Sequence, residues 1–249
     1  MTKTIYKEEF LVDDLAVDCF GQLKPAMLPY YFQEVAGSHF ALLEDPAAPI
    51  AEKHLFWAVS RYSFQIHTLP RLGQRITVET WPMPTTRVAY PRAMMIYNEE
   101  GQLLVKAISL WVLMDQQSRA MVLPGKSGVI VDGLLRGTEP EVPKNLLPKE
   151  HPHTATRQVT YSLLDRNGHM NNTRYLDWVC DLLPSRFHGQ HTPAEITLCY
   201  LSEALESQEI RLHWELTEDG LLQVDARRAS TDVHQKEGRV FTAQVLFQN

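Results

Sequence analysis

Cysteine is scarce in this chain: three residues in 249, Cys19, Cys180 and Cys199, with no CxxC spacing. An odd, unpatterned set excludes a disulfide framework and points to reduced thiols in a cytoplasmic protein. Long apolar runs are missing. No stretch approaches the roughly 20 residues a membrane helix needs, and Met1 to Phe10 carries charges without the apolar segment of a secretory leader. Positive charge is not in excess either. A formal net charge of -6 argues against nucleic acid or an anionic membrane as partner. There is no GxGxxG, no P-loop and no GxSxG elbow, so nucleotide binding and serine-hydrolase chemistry lack support. His151-Pro152-His153 and the histidines at 188 and 191 lack cysteine or carboxylate companions, so they read as loop residues. Neither a metal nor a cofactor is expected.

What is present suffices for a sizeable core, since 44% of the residues are hydrophobic. A short strand is predicted over Thr4–Val12. Leu28, Tyr31, Phe32, Val35, Phe40 and Leu43 then fall near helical spacing, which predicts a helix over Met27–Leu43 that the loop Asp45–Pro49 ends. Strands are predicted at Leu55–His67, Arg75–Pro82, Arg87–Tyr97 and Leu103–Met114, where β-branched and aromatic residues concentrate. Residues 124–153 change character, with five prolines and four glycines, and read as a linker. Then the first pattern returns: a strand at Thr156–Tyr161, a helix at Thr173–Leu183, and strands at Glu195–Ser202, Glu209–Thr217, Leu221–Ala229 and Arg239–Phe247.

Strand, helix and four strands thus occur twice, a duplicated unit. Asp18-Cys19-Phe20-Gly21-Gln22 aligns with Asp165-Arg166-Asn167-Gly168-His169, both Asp and Gly recurring 147 positions apart (165 against 18, 168 against 21). Phe20 and Gln22 stand where the second copy has Asn167 and His169. Three parts are expected: a first copy over 1–123, a linker over 124–153 and a second copy over 154–249. Periodicity alone supports an α+β protein of sheet and helix.

The chemistry concentrates in Leu164–Trp178. Asp165, Asn167 and His169 occupy alternate positions, and an extended backbone would project all three from one face. Imidazole titrates near neutral pH and can take a proton from water. A carboxamide both donates and accepts, so Asn167 can position a water or a carbonyl. Asp165 recurs as Asp18 in the unequipped copy, which marks it as the residue that holds the turn. Asn171 and Asn172 read as helix caps, with substrate contact as their second reading. Tyr175 and Trp178 read as helix-to-sheet packing. A helix start beside these groups offers N–H donors and a partial positive charge where an oxyanion would be stabilised.

The run Asp165-x-Asn167-x-His169-x-Asn171-Asn172-x-x-Tyr175-x-x-Trp178 resembles the signature of the acyl-ACP thioesterases. Trp57-Ala58-Val59-Ser60-Arg61 and Thr80-Trp81-Pro82 resemble that family's amino-terminal half, and Tyr200-Leu201-Ser202-Glu203-Ala204 its second active-site strand. The resemblance implies a tandem (double) hot-dog, each half a long helix wrapped by an antiparallel sheet. It implies hydrolysis of fatty acyl-[acyl-carrier-protein] by activated water, within fatty acid biosynthesis, with Glu203 joining Asp165, Asn167 and His169 as catalytic residues. Glu203 alternates along its strand with Thr197, Cys199 and Leu201, a mostly apolar and hence inward-looking face. Where the family pattern has cysteine after this glutamate, this chain has Ala204, so no thiol nucleophile sits there. The acyl chain would lie in the first copy, lined by Trp57, Val59 and Met94.

The implied partner is acyl carrier protein bearing an acyl-phosphopantetheine. It is acidic, and Arg61, Arg71, Arg75, Lys149, Arg157 and Arg174 are candidates to meet it. The oligomeric state is not set by these residues, and a homodimer stays open. Rival readings are an acyl-CoA thioesterase on the same fold, a non-catalytic acyl-binding or carrier-docking protein, and a dehydratase, which would need a histidine and an acid but not Asn167.

Overall fold

The computed structural model describes residues 4–43, 49–229 and 238–248, so the Asp45–Pro49 loop lies outside the described residues except for Pro49. Two compact units divide the chain: Met1–Leu23 with Pro29–Pro143, and Lys24–Leu28 with Lys144–Asn249. The proline-rich stretch expected as a linker is shared between them at Pro143. Among the described residues no helix is long and apolar enough to cross a membrane.

The first unit comprises β1 (Tyr6–Leu11), α1 (Met27–Leu43) from Pro29 onward, β2 (Leu55–Ile66), β3 (Arg75–Pro82), β4 (Tyr90–Asn98), β5 (Leu103–Asp115), the two-residue β6 (Met121–Val122) and the one-turn α2 (Pro124–Ser127). Its pairings are antiparallel in the order β1-β3-β4-β5-β2, with β6 on β5. Helix α1 forms over the predicted residues and buries Leu28, Tyr31, Phe32, Val35, Ala36 and His39, a stripe at i, i+3 and i+4 spacing. The stripe ends on His39 rather than on Phe40 and Leu43, because the imidazole finds a polar partner below. His39 Nδ1 lies 3.0 Å from Arg92 Nη1, and the same guanidinium nitrogen donates to Thr80 Oγ1 at 3.1 Å. Burial holds the Arg92 guanidinium down at about 10.

Trp57, Val59 and Met94 lie on this helix-facing side. Register places Tyr90, Arg92 and Met94 opposite Trp111, Ser109 and Ala107, which in turn oppose Val59, Tyr62 and Phe64. Phe32 stacks on Phe64 with ring centroids 5.7 Å apart, and Phe40 meets Trp57 edge-on at 5.6 Å. Val59 and Met94 are buried, and the polar row of Tyr62, Ser109 and Arg92 runs between them.

The part of the proline-rich stretch that belongs to this unit is ordered along its surface. Leu134 N–H donates to the Pro82 carbonyl at 2.9 Å, Trp81 Nε1 to Glu139 at 3.1 Å, and Arg136 to Glu79 at 3.0 Å with its guanidinium over the Trp81 ring. Gly133 makes the close approach possible, since a Cβ there would sit 2.2 Å from the Pro84 nitrogen. Gly133→Ala is therefore expected to lower the thermal midpoint, by about 1–3 kcal/mol of stability, as overpacking does. An unchanged midpoint would show that the strap does not hold the unit.

The second unit comprises β7 (His153–Gln158), α3 (Tyr175–Cys180), the one-turn α4 (Ser185–His188), β8 (Thr192–Tyr200), β9 (Glu209–Leu216), β10 (Leu221–Arg228) and β11 (Arg239–Gln248). Its antiparallel order β7-β9-β10-β11-β8 repeats that of the first unit. The helix here is short. A 3₁₀ turn at Asn172–Arg174 leads into α3, which buries Tyr175, Leu176, Trp178 and Val179 and stops at Cys180. Pro184 fits the early end, because it has no N–H to bond the Cys180 carbonyl four residues back and its ring would clash with it.

Candidate active site

Asp165 organises a closed turn rather than an extended strand. Its Oδ1 accepts from the N–H of Asn167 at 2.8 Å and of His169 at 3.2 Å. Asp165 N–H donates to the His169 carbonyl at 2.8 Å, and Gly168 N–H to the Asp165 carbonyl at 3.1 Å. Gly168 closes the loop at φ 77°, the left-handed region that glycine enters without steric cost. The alternation expected of an extended run is thus corrected: the carboxylate turns inward onto the backbone. Asn167 stays exposed, its carboxamide 3.4 Å from Asp165 Oδ2.

Glu203 reaches this turn by a loop, not along a strand. β8 ends at Tyr200, and the N–H groups of Leu201 and Ser202 both donate to the Val240 carbonyl. Met170 N–H then donates to the Ala204 carbonyl at 2.8 Å, and His169 bridges Leu205. The expectation of an inward face through Leu201 and Glu203 fails, because both are exposed while Ile196 and Leu198 are fully buried. The strand stops before parity can carry to Glu203. The result still juxtaposes the two groups: His169 Nε2 lies 3.4 Å from Glu203 Oε2, with the side chains 21% and 46% exposed. An imidazole and a carboxylate thus share one edge that water can reach.

The first unit contains the same scaffold without the chemistry. Asp18 Oδ1 accepts from the N–H of Phe20 and of Gln22, Gly21 adopts φ 69°, and Leu23 N–H donates to the Pro70 carbonyl as Met170 does to Ala204. Further along, Arg71 N–H and Leu205 N–H each donate to a glutamine side chain, Gln74 and Gln208. These pairs put Phe20, Gln22 and Leu69 at the places of Asn167, His169 and Glu203. Sequence comparison of the turns reached the first two; Leu69 emerges only from the hydrogen bonds.

Of the N–H groups expected to favour an oxyanion, those of Met170 and Asn171 are committed, to Ala204 and Leu163 carbonyls. Asn171 Oδ1 caps the 3₁₀ turn through Thr173 N–H and Oγ1, both at 3.0 Å, and the Asn172 carbonyl accepts from the Tyr200 hydroxyl at 2.8 Å. Among the candidate cations, Arg61 donates to the Pro143 carbonyl, Lys149 to Gln223, and Arg157 to the Thr156 carbonyl, while Arg174 pairs with Asp177. Arg71 and Arg75 are exposed. Among the described residues no three His, Cys, Asp or Glu side chains group as a metal site.

The acyl-ACP thioesterase N-terminal domain profile matches residues 3–123, and the acyl-ACP thioesterase C-terminal domain profile matches residues 148–242. The chain belongs to the acyl-ACP thioesterase family. A relative in this family is oleoyl-acyl carrier protein thioesterase 1, chloroplastic, of Arabidopsis thaliana, 25% identical over 227 residues, which cover 82% of this chain and 62% of that protein. The palmitoyl-acyl carrier protein thioesterase of Gossypium hirsutum is 26% identical over 163 residues, covering 62% of this chain and 40% of its own. The chain thus spans about three fifths or less of the length of these relatives.

The acyl-ACP thioesterase fold is shared with two solved structures. One, an acyl-ACP thioesterase from Bacteroides thetaiotaomicron, gives a TM-score of 0.86 at 21% identity, covering 99% of this chain and 98% of that one. The other, the 12:0-ACP thioesterase from Umbellularia californica, gives 0.81 at 18% identity, covering 98% and 97%. The architecture is the tandem hot-dog, with a short helix in the second copy.

All three cysteines are free. Burial, then Asp177 and Asp181, pushes the Cys180 thiol up to about 12, and Cys199 is 2% exposed. Only Cys19 is exposed. Iodoacetamide at pH 8 is therefore expected to label Cys19 alone and leave turnover intact, because reactivity follows the exposed thiolate. Inactivation in step with labelling of Cys180 or Cys199 would contradict the assignment of a site without a thiol.

Proposed function

We propose that this protein hydrolyses fatty acyl-[acyl-carrier-protein] thioesters to free fatty acid and the carrier thiol. The observation that carries the reading is the 3.4 Å approach of His169 to Glu203 on a turn held by Asp165, in the copy that alone has these groups. A water held between imidazole and carboxylate gives up a proton to the pair as its oxygen attacks the carbonyl carbon. The C–S bond breaks, and the proton passes to the departing sulfur. The Asn167 carboxamide donates to the developing oxyanion, a contact worth about 3 kcal/mol of barrier in comparable sites. With the Met170 and Asn171 N–H groups already bonded, the carboxamide carries more of that duty.

The acyl chain rests against the helix-facing side of the first unit, where Trp57, Val59 and Met94 sit. Asn171 and Asn172 border the turn and contact the thioester end of the substrate. Three free thiols suit a reducing compartment such as the cytoplasm, and exposed Arg71 and Arg75 offer charge to an acidic carrier protein. Turnover of one acyl chain presented on carrier protein and on coenzyme A tests the substrate. Higher kcat/KM on the carrier is expected; a preference for the CoA ester would make the protein an acyl-CoA thioesterase, and an intact ligand on both would make it a binder.

A further inference from the structure

The segment bearing Glu203 lies beyond the end of β8, so regular strand pairing does not fix it. We propose that Arg228 is a positioning residue that grips the Glu203 carbonyl and so aims the Glu203 carboxylate at His169. The proposal rests on the hydrolytic reading above. Arg228 Nη2 donates to the Glu203 carbonyl at 2.8 Å and lies 3.4 Å from Ser202 Oγ, while its Nε donates to Gln208 Oε1 at 3.1 Å. One residue on, the Ala204 carbonyl accepts from Met170 N–H at 2.8 Å, so the backbone is held at Glu203 and again at Ala204. With its carbonyl held by Arg228, the Glu203–Ala204 peptide is kept from rotating, and rotation there would swing the Glu203 side chain off the imidazole.

The first copy separates clamp from scaffold. Gln74 and Gln208 play the same part in both copies, so that bond belongs to the fold. Asn98 N–H donates to the Gln102 carbonyl as Arg228 N–H does to Gly238, but the Asn98 side chain bonds Gln102 and not the loop. Leu69, at the place of Glu203, is simply buried. Where the carboxylate is absent, the arginine grip is absent with it.

The test uses the full chain and its acyl-ACP substrate. Arg228→Met is made alone and in a Glu203→Gln background, with Arg228→Lys as the conservative variant, and kcat, KM and the thermal midpoint are measured. Arg228→Met is expected to lower kcat by about ten- to a hundredfold, as misplacement by an ångström does, with KM near wild type. Arg228→Lys should recover part of the loss, because an ammonium can still donate to the carbonyl. In the Glu203→Gln background Arg228→Met should not lower the residual rate further. Wild-type kcat in Arg228→Met, or an equal fold-loss with and without the Glu203 carboxylate, overturns the clamp. Full turnover by Glu203→Gln alone overturns the hydrolytic reading itself, and the clamp falls with it.

Discussion

Glu203→Gln is expected to lower kcat for acyl-ACP hydrolysis by roughly 10²–10⁴-fold, the range of a lost general acid or base, with KM little changed. The substitution keeps the shape of the side chain and leaves the Glu203 carbonyl bonded to Arg228. What it removes is the negative charge 3.4 Å from His169 Nε2. Without that charge the imidazole can neither share the attacking water's proton nor be stabilised as it gains one. His169→Ala should cost a similar factor. The double variant should cost little more than either single, since groups acting as one unit do not add. A glutamate 46% exposed on a surface loop invites the opposite expectation, a solvated acid whose loss changes nothing. Stopped assays of released fatty acid distinguish the two, and undiminished turnover in either single variant removes the pair from the mechanism.

The second large effect comes from comparing the two turns. Asp165→Ala and Asp18→Ala each strip an acceptor from two backbone N–H groups in a turn closed by a left-handed glycine. Each should cost about 0.5–1.5 kcal/mol of stability, the net worth of an ordinary hydrogen bond, because water can reach the freed donors. Their effects on turnover should part widely. Loss of Asp165 loosens the segment that carries Asn167 and His169, and kcat should fall about 10²-fold. Loss of Asp18 loosens only Phe20 and Gln22, and kcat should hold. Asp165→Asn, which keeps an acceptor oxygen, should recover most of the stability and part of the rate. Thermal unfolding and initial rates on the same preparations decide the matter. Equal losses of turnover would show that both turns act only through the fold.

Much of the scaffold was legible in the residues because local rules dominate there. The stripe of α1 follows helical spacing from Leu28 to Ala36, and β3 begins and ends where Arg75 and Pro82 predict. The paired Asp and Gly of the two turns identified the repeat because each makes the same backbone bonds in both copies. The site was legible only in part. Strand parity misplaced Glu203, since parity lapses once β8 ends at Tyr200 and the backbone turns to bond Val240. Arg228 gave no signal: it lies 25 residues from Glu203 and binds a carbonyl, which any residue would present. Tyr175 was readable as packing, and it packs edge-on to Tyr200 and Phe241. The short second helix fits Pro184, which offers no N–H to the Cys180 carbonyl. His39 and Arg92 escaped notice because a polar pair inside an apolar stripe leaves no periodic trace.

Rapid-quench reaction in ¹⁸O-labelled water, with enzyme in excess over acyl-ACP, probes the attacking group itself. Intact-protein mass and fatty-acid mass are read from the same time points. The predicted result is fatty acid carrying one solvent oxygen while the protein keeps its unmodified mass throughout. An acyl adduct on the protein that forms and decays with product release, or the absence of any released fatty acid, would contradict attack by water held between His169 and Glu203.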